Sequence, residues 1–181
     1  MKLTTLTLAC AVILALTGCE TTPRPVLAKT PTFEDASANA FIKSSRDAVA
    51  KLVTGLDPST ASPMLIATVV DVNDLRKAAP LGRTLSEQYS SAMVSNGFSV
   101  KELKLRGDVF VKELTGELLL SREIKDIAQV HNASTVLVGT YSVASQFTFV
   151  SIKIVSTDSG QVVRAHDYAL PNDADVRSLT R

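Results

Sequence analysis

The sequence predicts a single α/β domain with a mixed sheet of about five strands and three helices, an estimate that rests on hydrophobic periodicity. Amphipathic stripes with helical spacing recur three times along the chain. Two almost unbroken Val/Ile/Leu runs lie between them, as in strands buried on both faces. The last third alternates apolar and polar residues around a short glycine-containing turn, the pattern of a hairpin.

The helical pattern begins at Ala36, where Phe41, Ala48, Val49, Leu52, Val53 and Leu56 share one stripe, and Gly55 and Asp57-Pro58 stop it. Met64 to Val70 is the first buried-type strand. Pro80 opens a second helix whose stripe is Leu81, Leu85, Tyr89, Ala92 and Met93. Asn96-Gly97 ends it, with glycine suited to a left-handed C′ position and Phe98 free to fold back on the last turn. Phe98 to Leu105 reads as a strand with a polar side, and Asp108 to Leu114 as a short edge strand.

Ser121 is the expected N-cap of a third helix, with Ile124, Ile127, Ala128 and Val130 facing inward. Thr135 to Val143 is the second buried-type strand. Gln146 to Val155 and Gln161 to Leu170 form the hairpin, joined through residues 156–160. Strands separated by helices pair in parallel through right-handed crossovers, whereas the hairpin is antiparallel, so the sheet is mixed.

Residues 1–18 read as a signal peptide. Lys2 precedes the uncharged stretch Leu3 to Leu16, which is shorter than the ~20 apolar residues of a membrane-spanning helix but fits a signal h-region. It ends in Leu16-Thr17-Gly18-Cys19, which matches the lipobox of bacterial lipoproteins. Thr17 and Gly18 are small and leave the bond before Cys19 open to a peptidase. The Cys19 thiol is a nucleophile soft enough to take a diacylglyceryl group as a thioether, and its freed amine can then be acylated. Three acyl chains exceed the two signals that stable anchoring needs. Glu20 stands where an aspartate would mark inner-membrane retention, and resemblance to known lipoprotein sorting implies the outer membrane. Residues 19–35, with Pro23, Pro25 and Pro31, read as a proline-rich tether. The domain is expected over 36–171, with 172–181 as a polar tail.

The composition argues against several function classes. Removing residues 1–18, which hold Lys2 and no acid, leaves equal numbers of basic and acidic groups. That gives no electrostatic reason to expect nucleic acid. Cys10 leaves with the signal peptide and Cys19 is alkylated, so neither a disulfide nor a thiol metal site is expected. His131 and His166 are the only histidines. His131 suits a helix end, and His166 alternates with Arg164 and Tyr168 on what reads as the exposed side of the last strand. No serine elbow accompanies them. Asp71 and Asp74 are too few for a metal site and fit loop or capping roles. The glycines form no phosphate-binding loop. The expectation is a protein without catalytic residues, cofactor or metal.

Five segments together resemble the FlgO family of bacterial outer-membrane lipoproteins. They are Met64-Leu65-Ile66-Ala67-Thr68 with Asp71, then Leu81-Gly82-Arg83 with Glu87, then Asn96-Gly97-Phe98-Ser99-Val100 with Glu102-Leu103. Gly116-Glu117-Leu118-Leu119-Leu120-Ser121-Arg122 and Val136-Leu137-Val138-Gly139-Thr140-Tyr141 follow in the family's order. The resemblance implies a compact α/β domain similar to the N-terminal domain of TolB. It also implies a role at the outer membrane in flagellar assembly or motility, with envelope or flagellar proteins as partners. Arg83, Glu117, Ser121, Arg122 and Tyr141 are its candidate structural or interaction positions. The alternative is an envelope lipoprotein that binds a small ligand, peptidoglycan or another periplasmic protein. It would use the crevice past Val70 and Val143, near Asp71, Asp74, Ser142 and Ser145.

Overall fold

A computed structural model describes residues 30–59, 61–75, 79–102, 110–112, 118–120 and 122–181. The elements in chain order begin with α1 (Phe33–Ser37), α2 (Ala40–Leu52), β1 (Met64–Ile66), β2 (Val70–Asp71) and α3 (Pro80–Ser95). Next come β3 (Val100–Glu102), β4 (Phe110–Lys112), β5 (Leu118–Leu120) and α4 (Arg122–Val130). The chain finishes with β6 (Thr135–Val143), β7 (Phe147–Ser156), β8 (Val162–Pro171) and α5 (Ala174–Leu179).

The main sheet runs β3-β1-β6-β7-β8, with β2 also paired to β6. Pairings of β1 with β3 and of β1 and β2 with β6 are parallel, while β6-β7-β8 is an antiparallel meander. The expected mixed sheet is therefore present. The segment expected as a short edge strand, β4, pairs instead with β5 in a separate two-stranded ribbon.

From β1 the chain steps to β3 on one side, then returns past β1 to β6. Two right-handed crossovers in opposite directions must lie on opposite faces of the sheet. The packing agrees. Leu81, Leu85, Tyr89 and Met93 of α3 join Val49 and Leu52 of α2 over Leu137, Tyr141, Val150, Ile152 and Ile154. On the other face, Ala128 of α4 and the following Ala133 pack on Leu65, Ala67, Val136, Val138 and Val155.

The segment 64–71 is one strand interrupted by a bulge. Ile66 lies opposite Leu137, but Val70 lies opposite Thr140. Three residues thus face two, and the extra one disrupts the ladder locally. The Val69 N–H donates instead to Ser86 Oγ of α3, at 2.9 Å. That hydroxyl donates in turn to the Gly82 carbonyl at 2.8 Å. Gly82 has no room for a side chain, because a Cβ there would stand 1.9 Å from the Val69 carbonyl oxygen. The helix terminus expected at Asn96-Gly97 forms as read. Gly97 has φ +87, and the Phe98 N–H donates to the Met93 carbonyl at 3.1 Å.

Five further expectations need correction. The helix read from Ala36 is two helices, because Asn39 caps a fresh start by accepting the Phe41 N–H at 2.7 Å. Helical structure is also present inside the segment read as tether (19–35). There Thr32 and Asp35 close a capping box around α1. Val130 does not face inward but is 78% exposed, since two residues on from Ala128 is about 200° around a helix. Residues 172–181 are not a loose polar tail: Asp173 accepts the Val176 N–H at 2.8 Å to start α5, and Val176 is buried in the core. Finally, the side of β8 that carries His166 and Tyr168 is the helix-facing one. Tyr168 lies opposite Val150, whose side chain is in the main core.

Candidate functional site

The described residues cover the second face of the sheet only in part. Alternation along β6, β7 and β8 places Thr140, Ser142, Phe149, Ser151, Asp167 and Ala169 on it, beyond the part under α4. The register aligns them in rows: Thr140 beside Ser151 beside Asp167, and Ser142 beside Phe149 beside Ala169. With Val72 from the loop after β2, they line an open hollow of about 430 Å³, to which Tyr141, Val150 and Tyr168 also contribute. Its walls are apolar at Val72, Phe149 and Ala169. Hydroxyls and the Asp167 carboxylate supply hydrogen-bonding groups. Such a surface can hold an apolar group fixed by a few hydrogen bonds.

Beneath this face lies a polar link through the core. Tyr89 of α3 and Tyr168 of β8 share a hydrogen bond of 2.6 Å between hydroxyls. Ser45 of α2 is a further partner of Tyr168 and donates to the Phe41 carbonyl at 2.9 Å. Burial is the main cause that pushes the Tyr89 phenol well above its usual range, followed by the neighbouring Tyr168. Burial likewise raises Tyr168 and Tyr141, and the Asp71 carboxylate adds to the rise at Tyr141. Neutral phenols here tie two helices to the outer strand, and no charged group takes part.

The residues singled out in the sequence do not converge on one site. Tyr141 is 2% exposed and belongs to the main core. Its ring Cε1 would lie 3.6 Å from a Cβ on Gly82, so the Leu81-Gly82-Arg83 segment packs on it through glycine. Arg83 itself is exposed on α3. Gly18, Cys19, Glu117 and Ser121 lie outside the described residues, and Arg122 opens α4 with its side chain outside them as well. Asp71 holds a turn, accepting the Asn73 N–H at 2.8 Å and its side-chain amide at 3.0 Å. Of the crevice residues, Ser142 lines the hollow, whereas Asp71, Asp74 and Ser145 do not. Among the described residues, no three His, Cys, Asp or Glu side chains cluster as a metal site would require. No described helix is long and apolar enough to cross a membrane.

Sequence reasoning missed Phe149, Ser151, Asp167 and Ala169. The signal was present in the odd positions of β7, where Phe147 and Phe149 precede Ser151 and Lys153. Two aromatic residues on the polar side of an alternating strand mark a face that helices leave uncovered.

Residues 46–175 match the family described as FlgO protein. Among solved structures, the chain is similar to the LpoB C-terminal domain from Salmonella enterica. That match has 16% identity and a TM-score of 0.52, and covers 73% of this chain and 98% of that one. The LpoB C-terminal domain from Escherichia coli matches equally in identity and coverage, with a TM-score of 0.50. The NMR structure of E. coli LpoB is 14% identical, over 92% of this chain and 86% of that one, with a TM-score of 0.50. The likeness is one of fold. A search of curated protein sequences finds no match.

Proposed function

The chain belongs to the FlgO family, and from that premise we propose a lipid-anchored envelope protein that acts by interaction rather than catalysis, in flagellar assembly or motility. One observation carries the reading: the family match over 46–175 lies behind a lipobox that ends at Cys19. Cleavage before Cys19, a thioether-linked diacylglyceryl group and acylation of the new amine would fix the chain to the outer membrane. The residues from 19 to Pro31 would then connect anchor and domain. Partners would be envelope or flagellar proteins. Deleting the gene in its native host should shrink the swimming radius, with recovery on supplying the wild-type chain and none on supplying Cys19→Ser. Unchanged motility together with unchanged outer-membrane integrity would overturn the proposal.

A second reading draws support from the hollow beside Ser142 at the carboxyl end of β6. It is a small-ligand or peptidoglycan-binding role, unconnected with flagella. Soluble peptidoglycan fragments titrated into the protein would then perturb NMR signals of Phe149 and Ser142. Signals unmoved at millimolar fragment would rule that reading out.

A further inference from the structure

β8 ends the main sheet, and among the described residues no strand lies beyond it. The hydrogen-bond phase of that edge follows from two contacts. The Ala144 N–H donates to the Phe147 carbonyl, and the Asn172 N–H to the Gln146 carbonyl. In an antiparallel ladder bonded pairs alternate, so the even-numbered residues of β7 bond toward β8 and the even residues of β8 bond back. Ala165, Asp167 and Ala169 therefore point their N–H and C=O groups outward, in a strand that carries no proline before Pro171. Long open edges of this kind are normally blocked or paired.

The side chains beside this edge form a self-complementary pattern. On the open face Lys153 lies next to Ala165, and Ser151 next to Asp167. Lys153 and Asp167 are exposed, and among the described residues no ion pair joins them. We infer that a second copy of this chain pairs with the β8 edge, antiparallel, about a two-fold axis through His166. That register sets Ala165 opposite the partner's Asp167. Lys153 then reaches over the small Ala165 to that carboxylate, two strand spacings or about 10 Å away, and the symmetry repeats the contact. The exposed Phe149 similarly has only Ala169 between itself and the partner copy. Neighbouring registers are worse. One sets Asp167 against the partner's Asp167, a like-charge pair that destabilises. The other sets Asp167 against the partner's Val163 and removes Lys153 from reach of any carboxylate. Charge thus selects both the occupant and the register.

The inference is independent of cellular role and can be tested on the purified full-length chain in detergent. His166 would fall at a non-hydrogen-bonded self-pair, with Cα atoms about 4.5 Å apart. The H166C chain, oxidised with diamide, should give a disulfide-linked dimer in high yield, and wild type should not. In native mass spectrometry wild type should be dimeric, D167K should weaken dimerisation at least tenfold, and the K153D/D167K double variant should restore it. The exchange of two exposed charges keeps the fold, and the rescue separates a specific contact from a folding defect or chance sharing of a micelle. A monomeric wild type, a D167K dimer of unchanged affinity, or a cross-link from H166C to another polypeptide in host cells would each overturn the pairing.

Discussion

On the face that meets α2 and α3, Tyr141, Val150, Ile152, Ile154 and Leu170 are sealed from water. On the opposite face burial stops at Val70, Val138 and Val155, and Phe149 stands 55% exposed. Helix length explains the difference. α2 and α3 span 13 and 16 residues, or roughly 20 and 24 Å at 1.5 Å per residue. α4 has nine residues, or roughly 14 Å, against ten-residue strands of roughly 33 Å. One short helix cannot cover such strands. The closed face holds the fold, and the open end of the other is available for contact.

Substitutions should divide accordingly. The largest effect is expected from Gly82→Val, which drives a branched side chain into the Val69 carbonyl and pushes α3 off the bulge. A loss of about 3 kcal/mol or more, read by urea denaturation, is predicted from overpacking. Gly82→Ala at an exposed helical site would gain stability. Here it should lose it, and a gain would show that α3 does not sit against the bulge.

Ser86→Ala ranks next. It leaves the Val69 N–H without its acceptor, at a cost of about 1–3 kcal/mol, and should speed hydrogen exchange at that amide. Tyr89→Phe removes one end of the phenol pair and should cost about 1 kcal/mol at neutral pH. Its alkaline behaviour sharpens the point. All three tyrosines have folded-state values above the unfolded one, so their contribution is complete below about pH 10 and declines as the unfolded state ionises above it. The loss of stability above pH 10 should be shallower in Tyr89→Phe. An unchanged slope would mean that the pair is not buried as described.

The smallest effect is expected on the open face. Phe149→Ser should change stability by less than about 1 kcal/mol, because the ring is already largely in water. A cost of several kcal/mol would erase the contrast between the faces.

Much of the closed face was legible in the sequence. The stripe Leu81, Leu85, Tyr89, Ala92 and Met93 gave α3 and its buried side together, and Asn96-Gly97 gave its end, because these features are local. The bulge at residues 67–69 was not legible. A nearly continuous apolar run fits a straight strand and a bulged one equally, and only Gly82 and Ser86, far along the chain, reveal the extra residue. The orientation of β8 was misread for a related reason. Ala165 and Ala169 look like core residues, while Tyr168 looks solvent-facing until Tyr89 and Ser45 supply partners for its hydroxyl. α5 was missed because Val176 and Leu179 are its only apolar anchors among charged neighbours. Of the candidate positions, Tyr141 proved to belong to the core. The hollow depends on how far α4 reaches, which no single stretch of sequence states.

Attachment through Cys19 underlies the functional reading, and mass spectrometry of the N-terminal peptide tests it most directly. Chains extracted from membranes of the native host should begin at Cys19 and carry one diacylglyceryl group and one amide-linked acyl chain. A membrane-extracted chain that retains Met1 to Gly18, or that begins at an unmodified Cys19, would contradict it.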